Sequence, residues 1–301
     1  MSQSTLPADA TFLHRFQAQA RRFCQAWSAA ASLVVFVLLV AAAIFAPLLT
    51  FQDPYDLMSL SIMDGNLPPG SESMDGLVYI LGTDDQGRDV YSALLYGLRT
   101  SILVGLSAAS LAFVIGSLIG LLAAYSGKRI ETLIMRLVDL QLSFPTILLA
   151  LMLIALMGKG VLNVILAIVL VEWALYARTA RGAALSEIRR EYLDAARGLM
   201  LPGWRIVLVH LLPNCLSPLV VLLTMQIARA ITLEATLSFL GLGVPITQPS
   251  LGLLIANGFS FMLSGSYWIS FFPGLVLLAL VFSINMVGDR LRVILNPKGG
   301  R

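Results

Sequence analysis

The chain has 301 residues, of which 58% are hydrophobic and only 12% charged, and its mean hydropathy is +0.85. A soluble domain carries about 25% charged residues, so this composition excludes an ordinary soluble protein and indicates an integral membrane protein. The net charge of +3 and the pI near 9.0 then reflect basic residues held on the cytoplasmic side, not a nucleic-acid footprint.

A membrane span needs about 20 apolar residues in a helix, and an open strand cannot satisfy its backbone in lipid. The chain begins with a tail, 1–28, that carries Arg15, Arg21 and Arg22. Those arginines ahead of an apolar run resemble a signal peptide, but Ala29–Leu49 is longer than an apolar signal core of about 7–15 residues. It is predicted to stay as the first span. Segment 50–98 is polar and acidic, with Asp53, Asp56, Asp64, Glu72, Asp75, Asp84, Asp85 and Asp89 among the prolines 54, 68 and 69. Further spans are predicted over Ser101–Tyr125, Leu133–Met157, Val161–Ala177, Ile206–Ala230 and Ile269–Val287. The expected fold is an all-α polytopic membrane protein with six transmembrane helices. The core runs over 99–295, with a basic loop at about 178–205 and a short tail, 296–301.

Basic residues set the orientation. Sixteen of the 20 Lys and Arg residues fall in the two tails, the loop after span two with the start of span three, and the loop after span four. Arg88, Arg99, Lys159 and Arg229 are the others. Both termini and the basic loop are therefore expected in the cytoplasm. Segment 231–268 contains no Lys or Arg and faces outward. Within it Thr232–Gly243 reads as a short helix ended by glycines, placed to dip into the membrane or line a cavity mouth.

Several polar residues stand out against this background. Leu185, Ile188, Tyr192, Ala195 and Leu199 have helical spacing, so the basic loop is predicted to hold an amphipathic helix. Pro202-Gly203 stops it, and Pro213-Asn214 bends the next span. A carboxylate within a span costs about 2.5–3.5 kcal/mol to insert, which makes it a functional candidate by default. Glu234, with Ser238 and Met225 near it, is a candidate for the substrate path. Glu172 is a second, although pairing with a basic residue is the plainer expectation for it. Asp139 is expected to make a structural ion pair or hydrogen bond, with Arg136 close by. Pro145 is expected to kink span three, and Gly116 and Gly120 form a GxxxG packing face. The histidines are His14 and His210, there is no HExxH, GxSxG or Walker A motif, and Cys24 and Cys215 lack the partners a metal site needs. No catalytic residue, cofactor or metal is expected.

Together, Leu81–Val90 (LGTDDQGRDV), Tyr96–Arg99, Arg136–Asp139 with Ser143–Pro145, Leu237–Gly243, Phe272–Gly274 and Gly288-Asp289 form a specific pattern. On these residues the chain resembles the permease subunits of binding-protein-dependent ABC importers, in the dipeptide/oligopeptide/nickel branch. It is closer to the second permease of each pair. The resemblance implies a type I permease fold and a location in the cell inner membrane. It also implies that the basic loop is similar to the family's EAA loop, which docks on an ATPase. Glu191, Asp194, Ala195, Ala196, Gly198, Pro202, Gly203, Leu212 and Pro213 are the positions it assigns to that coupling. Two departures stand out: Asp194 replaces the usual glutamate, and Met200 sits where the family has glycine, so Pro202-Gly203 is expected to supply the turn. The implied partners are a second homologous permease, ABC ATPase subunits that bind ATP, a periplasmic or lipid-anchored binding protein, and membrane lipid. The implied cargo is a peptide; nickel chelates, opines and glutathione are alternatives within the class. A channel or a non-transport scaffold is the alternative outside it.

Overall fold

The computed structural model describes residues 26–56, 60–73, 76–245 and 247–295. The arginines of the amino-terminal tail, His14, Cys24, Asp75, Lys298 and Arg301 lie outside that set. Helix α1 (Trp27–Ile44) and a short continuation, α2 (Ala46–Leu49), begin the described chain. An acidic segment follows, with a 3-10 turn at Ile62–Asp64 and two strands, β1 (Ser71–Glu72) and β2 (Val78–Tyr79), paired antiparallel. Then come α3 (Val90–Tyr125), α4 (Lys128–Ser143), α5 (Thr146–Met157), α6 (Val161–Glu187) and α7 (Glu191–Gly198). One long helix consists of α8 (Gly203–Arg205), a π-helical stretch (Ile206–Leu211) and α9 (Leu212–Phe239). Helices α10 (Leu251–Phe259) and α11 (Trp268–Leu295) complete it.

Among the described residues, five helices are long and apolar enough to cross a membrane: α1, α3, α6, Gly203–Phe239 and α11. The pair α4 and α5 makes a sixth span only as a bent unit, broken by 94°. A straight span over Leu133–Met157 with a mild kink is therefore corrected. Proline disfavours helical backbone in the residue before it, and Phe144 is extended, with φ −88° and ψ 142°. Helix α4 is amphipathic and lies along the basic half of α6. Glu131 pairs with Arg181 and Asp139 with Arg178, each at 2.5 Å. Trp173 Nε1 donates to Gln141 Oε1 at 3.1 Å. The partner of Asp139 is thus Arg178 of α6 and not Arg136.

Two other boundaries move. Span four continues ten residues past Ala177 to Glu187, so Arg178 and Arg181 sit on a helix and not in a loop. Span five runs unbroken through Ala230 and Glu234 to Phe239. The separate helix expected over Thr232–Gly243 is the end of that span, closed by Leu240 and by Gly241 at φ +74°. Gly252 of α10 then packs on Ala235, where an added Cβ would meet the backbone oxygen at 2.2 Å.

Helices α3 and α6 also pack backbone to backbone. A Cβ on Gly116 would lie 2.3 Å from the carbonyl oxygen of Trp173, and one on Gly120 2.2 Å from that of Ala177. The GxxxG face therefore lets two backbones touch, as expected.

At the acidic end, Leu81–Val90 folds back on itself. Asp84 Oδ1 accepts from the amides of Gln86 and Arg88, both at 2.9 Å. Asp89 caps α3 by accepting from the amides of Tyr91 and Ser92 and from the Ser92 hydroxyl, a favourable place for a carboxylate. Trp268, which begins α11, donates from Nε1 to the Thr83 carbonyl at 3.2 Å. Burial pushes the Asp84 carboxyl up to about 6, and it raises that of Asp89 too.

Two predictions follow from this packing. Gly120→Ala must separate α3 from α6 and costs about 1–3 kcal/mol. In purified protein this lowers the Tm by about 5 °C, whereas Gly182→Ala, at a glycine with nothing within 4 Å, causes no loss. The second concerns pH. Between pH 3.8 and about 6 the folded protein keeps a proton on Asp84 that the unfolded chain has released. Stability therefore falls as pH rises through that window. Asp84→Asn retains the acceptor oxygen, so it raises the Tm at pH 7 relative to wild type and loses this advantage towards pH 4.

Candidate functional site

The basic loop condenses into α7, an eight-residue helix lying across the basic end. Arg190 N donates to Glu187 O at 3.0 Å, which closes the turn out of α6. Leu193 and Ala196 are buried in a cluster with Leu121 of α3, Ala180 and Ala184 of α6, and Ile206, Val207 and Leu211 of the next helix. Glu191, Asp194, Ala195 and Gly198 are exposed on the other side. The two alanines of the expected docking core thus face opposite ways. Ala195 is open, while Ala196 holds the helix onto its own chain.

The end of α7 resolves the departure at Met200. The amide of Met200 donates to Arg197 O at 2.9 Å and that of Leu201 to Ala196 O at 3.3 Å. This is the Schellman pairing, which needs a left-handed residue at the position after the cap. Met200 supplies it at φ 51°. Pro202-Gly203, expected from sequence to supply the turn, does not make it. Pro202 is extended, and Gly203 lies against the Tyr125 ring at the end of α3, where a Cβ would meet Cε1 at 3.0 Å. The next helix widens into the π turn ahead of Leu212 and Pro213. Proline donates no amide and crowds the carbonyl four residues back, which the wider turn accommodates.

Among the remaining candidates, Glu234 and Ser238 are fully buried near the acidic end. Glu234 accepts from Ser101 Oγ of α3 at 2.8 Å and from Ser238 Oγ at 2.7 Å, and Ser250, which caps α10, bonds it as well. The carboxylate ties three helices together. Nothing in the sequence pattern marks Ser101 or Ser250 for that role, because single serines are common in apolar helices. Glu172 of α6 is buried, and among the described residues neither of its oxygens has a hydrogen-bond partner. The basic pairing expected for it is not made as an ion pair: Arg229 acts on it only at longer range. Met225 is 39% exposed and lines a cleft of about 550 Å³ with Pro218, Leu222, Thr179 and Arg292.

These spans, with a short helix at their basic end, make the chain a polytopic helical membrane protein. Residues 116–299 match the binding-protein-dependent transport system inner membrane component family. Residues 15–69 match the N-terminal transmembrane domain of oligopeptide transport permease C. The chain belongs to this family of ABC importer permeases and is a multi-pass membrane subunit that works with ATPase subunits and a second permease. It is 39% identical over 267 residues to the di/tripeptide transport system permease protein DppC of Pseudomonas aeruginosa, covering 88% of this chain and 86% of that one. The dipeptide permease DppC of Haemophilus influenzae is 36% identical, over 88% of this chain and 89% of its own. The probable D,D-dipeptide permease DdpC of Escherichia coli is also 36% identical, over 89% and 87%. The inward-facing MetNI methionine ABC transporter shares the fold, with a TM-score of 0.56 at 22% identity over 67% of this chain and 96% of that one.

Met200→Gly removes the Cβ from a left-handed position, a relief of about 1 kcal/mol. The variant is expected to unfold at higher temperature than wild type, as read by thermal denaturation in detergent. An unchanged or lower Tm would show that Met200 carries no strain there.

Proposed function

We propose that this chain passes peptides across the inner membrane as one of two permeases in an ATP-driven importer. Both termini and α7 face the cytoplasm, and the acidic segment faces a periplasmic or lipid-anchored binding protein that delivers the peptide. ATP is bound and hydrolysed on the separate ATPase chains. What supports the peptide reading is that relatives named for dipeptides and tripeptides align over nearly nine-tenths of this chain.

For coupling, the observation that carries the reading is the two-sided character of α7. Its inner face shares one core with α3, α6 and the π-helical stretch, so a push on the outer face moves those helices as a body. Packed interfaces have discrete arrangements and do not deform smoothly, which lets a short displacement switch a pathway. Glu191, Asp194, Ala195 and Gly198 form the proposed docking face. Ala196 seats α7 on its own chain, Pro202 and Gly203 fix it against Tyr125, and Leu212 and Pro213 set the π turn through which it meets α9. Of the residues expected along the substrate path, Met225 lies on the open cleft.

The test is peptide uptake by cells producing the full complex. Ala195→Glu is expected to lower uptake at least about tenfold, equivalent to about 1.4 kcal/mol of coupling, with unchanged membrane levels of the chain and loss of the ATPases on purification. Ala196→Glu puts a charge into the core and lowers the level of the chain itself. Normal uptake in the Ala195 variant would sink the docking role. Absence of peptide uptake by the wild-type complex would sink the substrate class.

A further inference from the structure

Arg229 is the cation in α9, well inside the apolar helix, and its side chain is exposed. Helical spacing puts Pro218, Leu222, Met225 and Arg229 on one face. The first three line the 550 Å³ cleft, which Thr179 of α6 and Arg292 of α11 close. Among the described residues, no Asp or Glu lines that cleft. Arg229 therefore stands one turn beyond an open, largely apolar cleft whose charged lining residue is another arginine.

The guanidinium offers five N–H donors. Among the described residues it makes one hydrogen bond, from Nη2 to Thr146 Oγ1 at 3.2 Å, and no ion pair. Glu172 of α6 is near enough to act on it electrostatically, but the two make no ion pair, and Glu172 is buried while Arg229 is exposed. Thr146 is the first residue of α5, whose first turn has no side-chain cap, so the positive end of a helix adds to the same spot. An arginine in a membrane helix is too costly to face lipid and marks a pathway or a pairing.

We propose that Arg229 binds the free carboxylate of the peptide as it moves through this cleft, with Thr146 holding the guanidinium in place. The proposal rests on the peptide-importer reading above. Guanidinium and carboxylate match in a two-point geometry that a neutral amide cannot reproduce. The competing role for Arg229 is an ion pair with an acidic side chain of the second permease, which would not depend on the chemistry of the cargo.

The experiment measures uptake of trialanine and of trialanine amide by the full transporter, with binding protein and ATPases, carrying wild-type chain, Arg229→Gln or Arg229→Lys. The ratio of acid to amide uptake is the readout, because any preference of the binding protein is the same in all three and cancels. Arg229→Gln is expected to lower that ratio about tenfold, as loss of a charged hydrogen bond does, and Arg229→Lys to restore part of it. Equal losses for both peptides, or no loss for either, would overturn the carboxylate assignment while leaving the peptide reading intact. A wild-type complex that takes up neither peptide would overturn both.

Discussion

Backbone contact between α3 and α6 is the constraint on which the other elements depend. In a bilayer, helices gain little from burying apolar surface, because lipid is as apolar as leucine. Close packing must supply the association, and only small residues allow it. Gly116 and Gly120 bring α3 onto Trp173 and Ala177 of α6. One turn further, Leu121 meets Ala180 and Ala184 in the cluster that receives Leu193 and Ala196 of α7. The ion pairs that fix α4 also end on α6, at Arg178 and Arg181. A shift in the α3–α6 register would therefore displace α4 and α7 together.

The proposed transmission of force through α7 requires stiffness at both of its ends. At the start, the turn Glu187–Arg190 leaves no free loop between α6 and α7. At the end, the Schellman pairing around Met200 and the contact of Gly203 with Tyr125 hold the return to α9. The π turn that follows is the softer point. Its hydrogen bonds span five residues and it precedes a proline, so the helix beyond it can tilt at less cost than a regular α-helix. Stiffness up to Gly203 and compliance over Ile206–Leu211 are what a lever acting on α9 needs.

The sequence carried the apolar segments, the GxxxG contact and the short amphipathic helix of the basic loop, because each depends on local periodicity or on short-range spacing. It failed where tertiary contacts decide. The 94° break at Phe144–Pro145 looks like an ordinary proline kink from composition. It becomes a corner because Gln141, Asp139 and Glu131 anchor α4 along α6. Likewise Asp139 sits three residues from Arg136, yet its partner is 39 residues away. Thr232–Gly243 suggested a separate helix through its glycines, but those glycines end the long helix. Met200 was visible as an exception to the family pattern, and only its backbone angle shows that it accepts the conformation glycine would adopt.

Three polar side chains in apolar surroundings show how cost separates architecture from function. Glu234 has its oxygens met by Ser101, Ser238 and Ser250. A buried carboxylate so satisfied stabilises the junction of α3, α9 and α10. Glu172 lacks hydrogen-bond partners among the described residues, but its side chain is almost wholly enclosed. Arg229 has the reverse profile: it is open and, among the described residues, has one hydrogen bond and adjoins a cleft lined without a carboxylate. Retaining an arginine there is unfavourable unless something that enters the cleft, or a neighbouring subunit, carries the opposite charge. Of the three, Arg229 is the one whose burial, bonding and position all leave a place for a partner to complete.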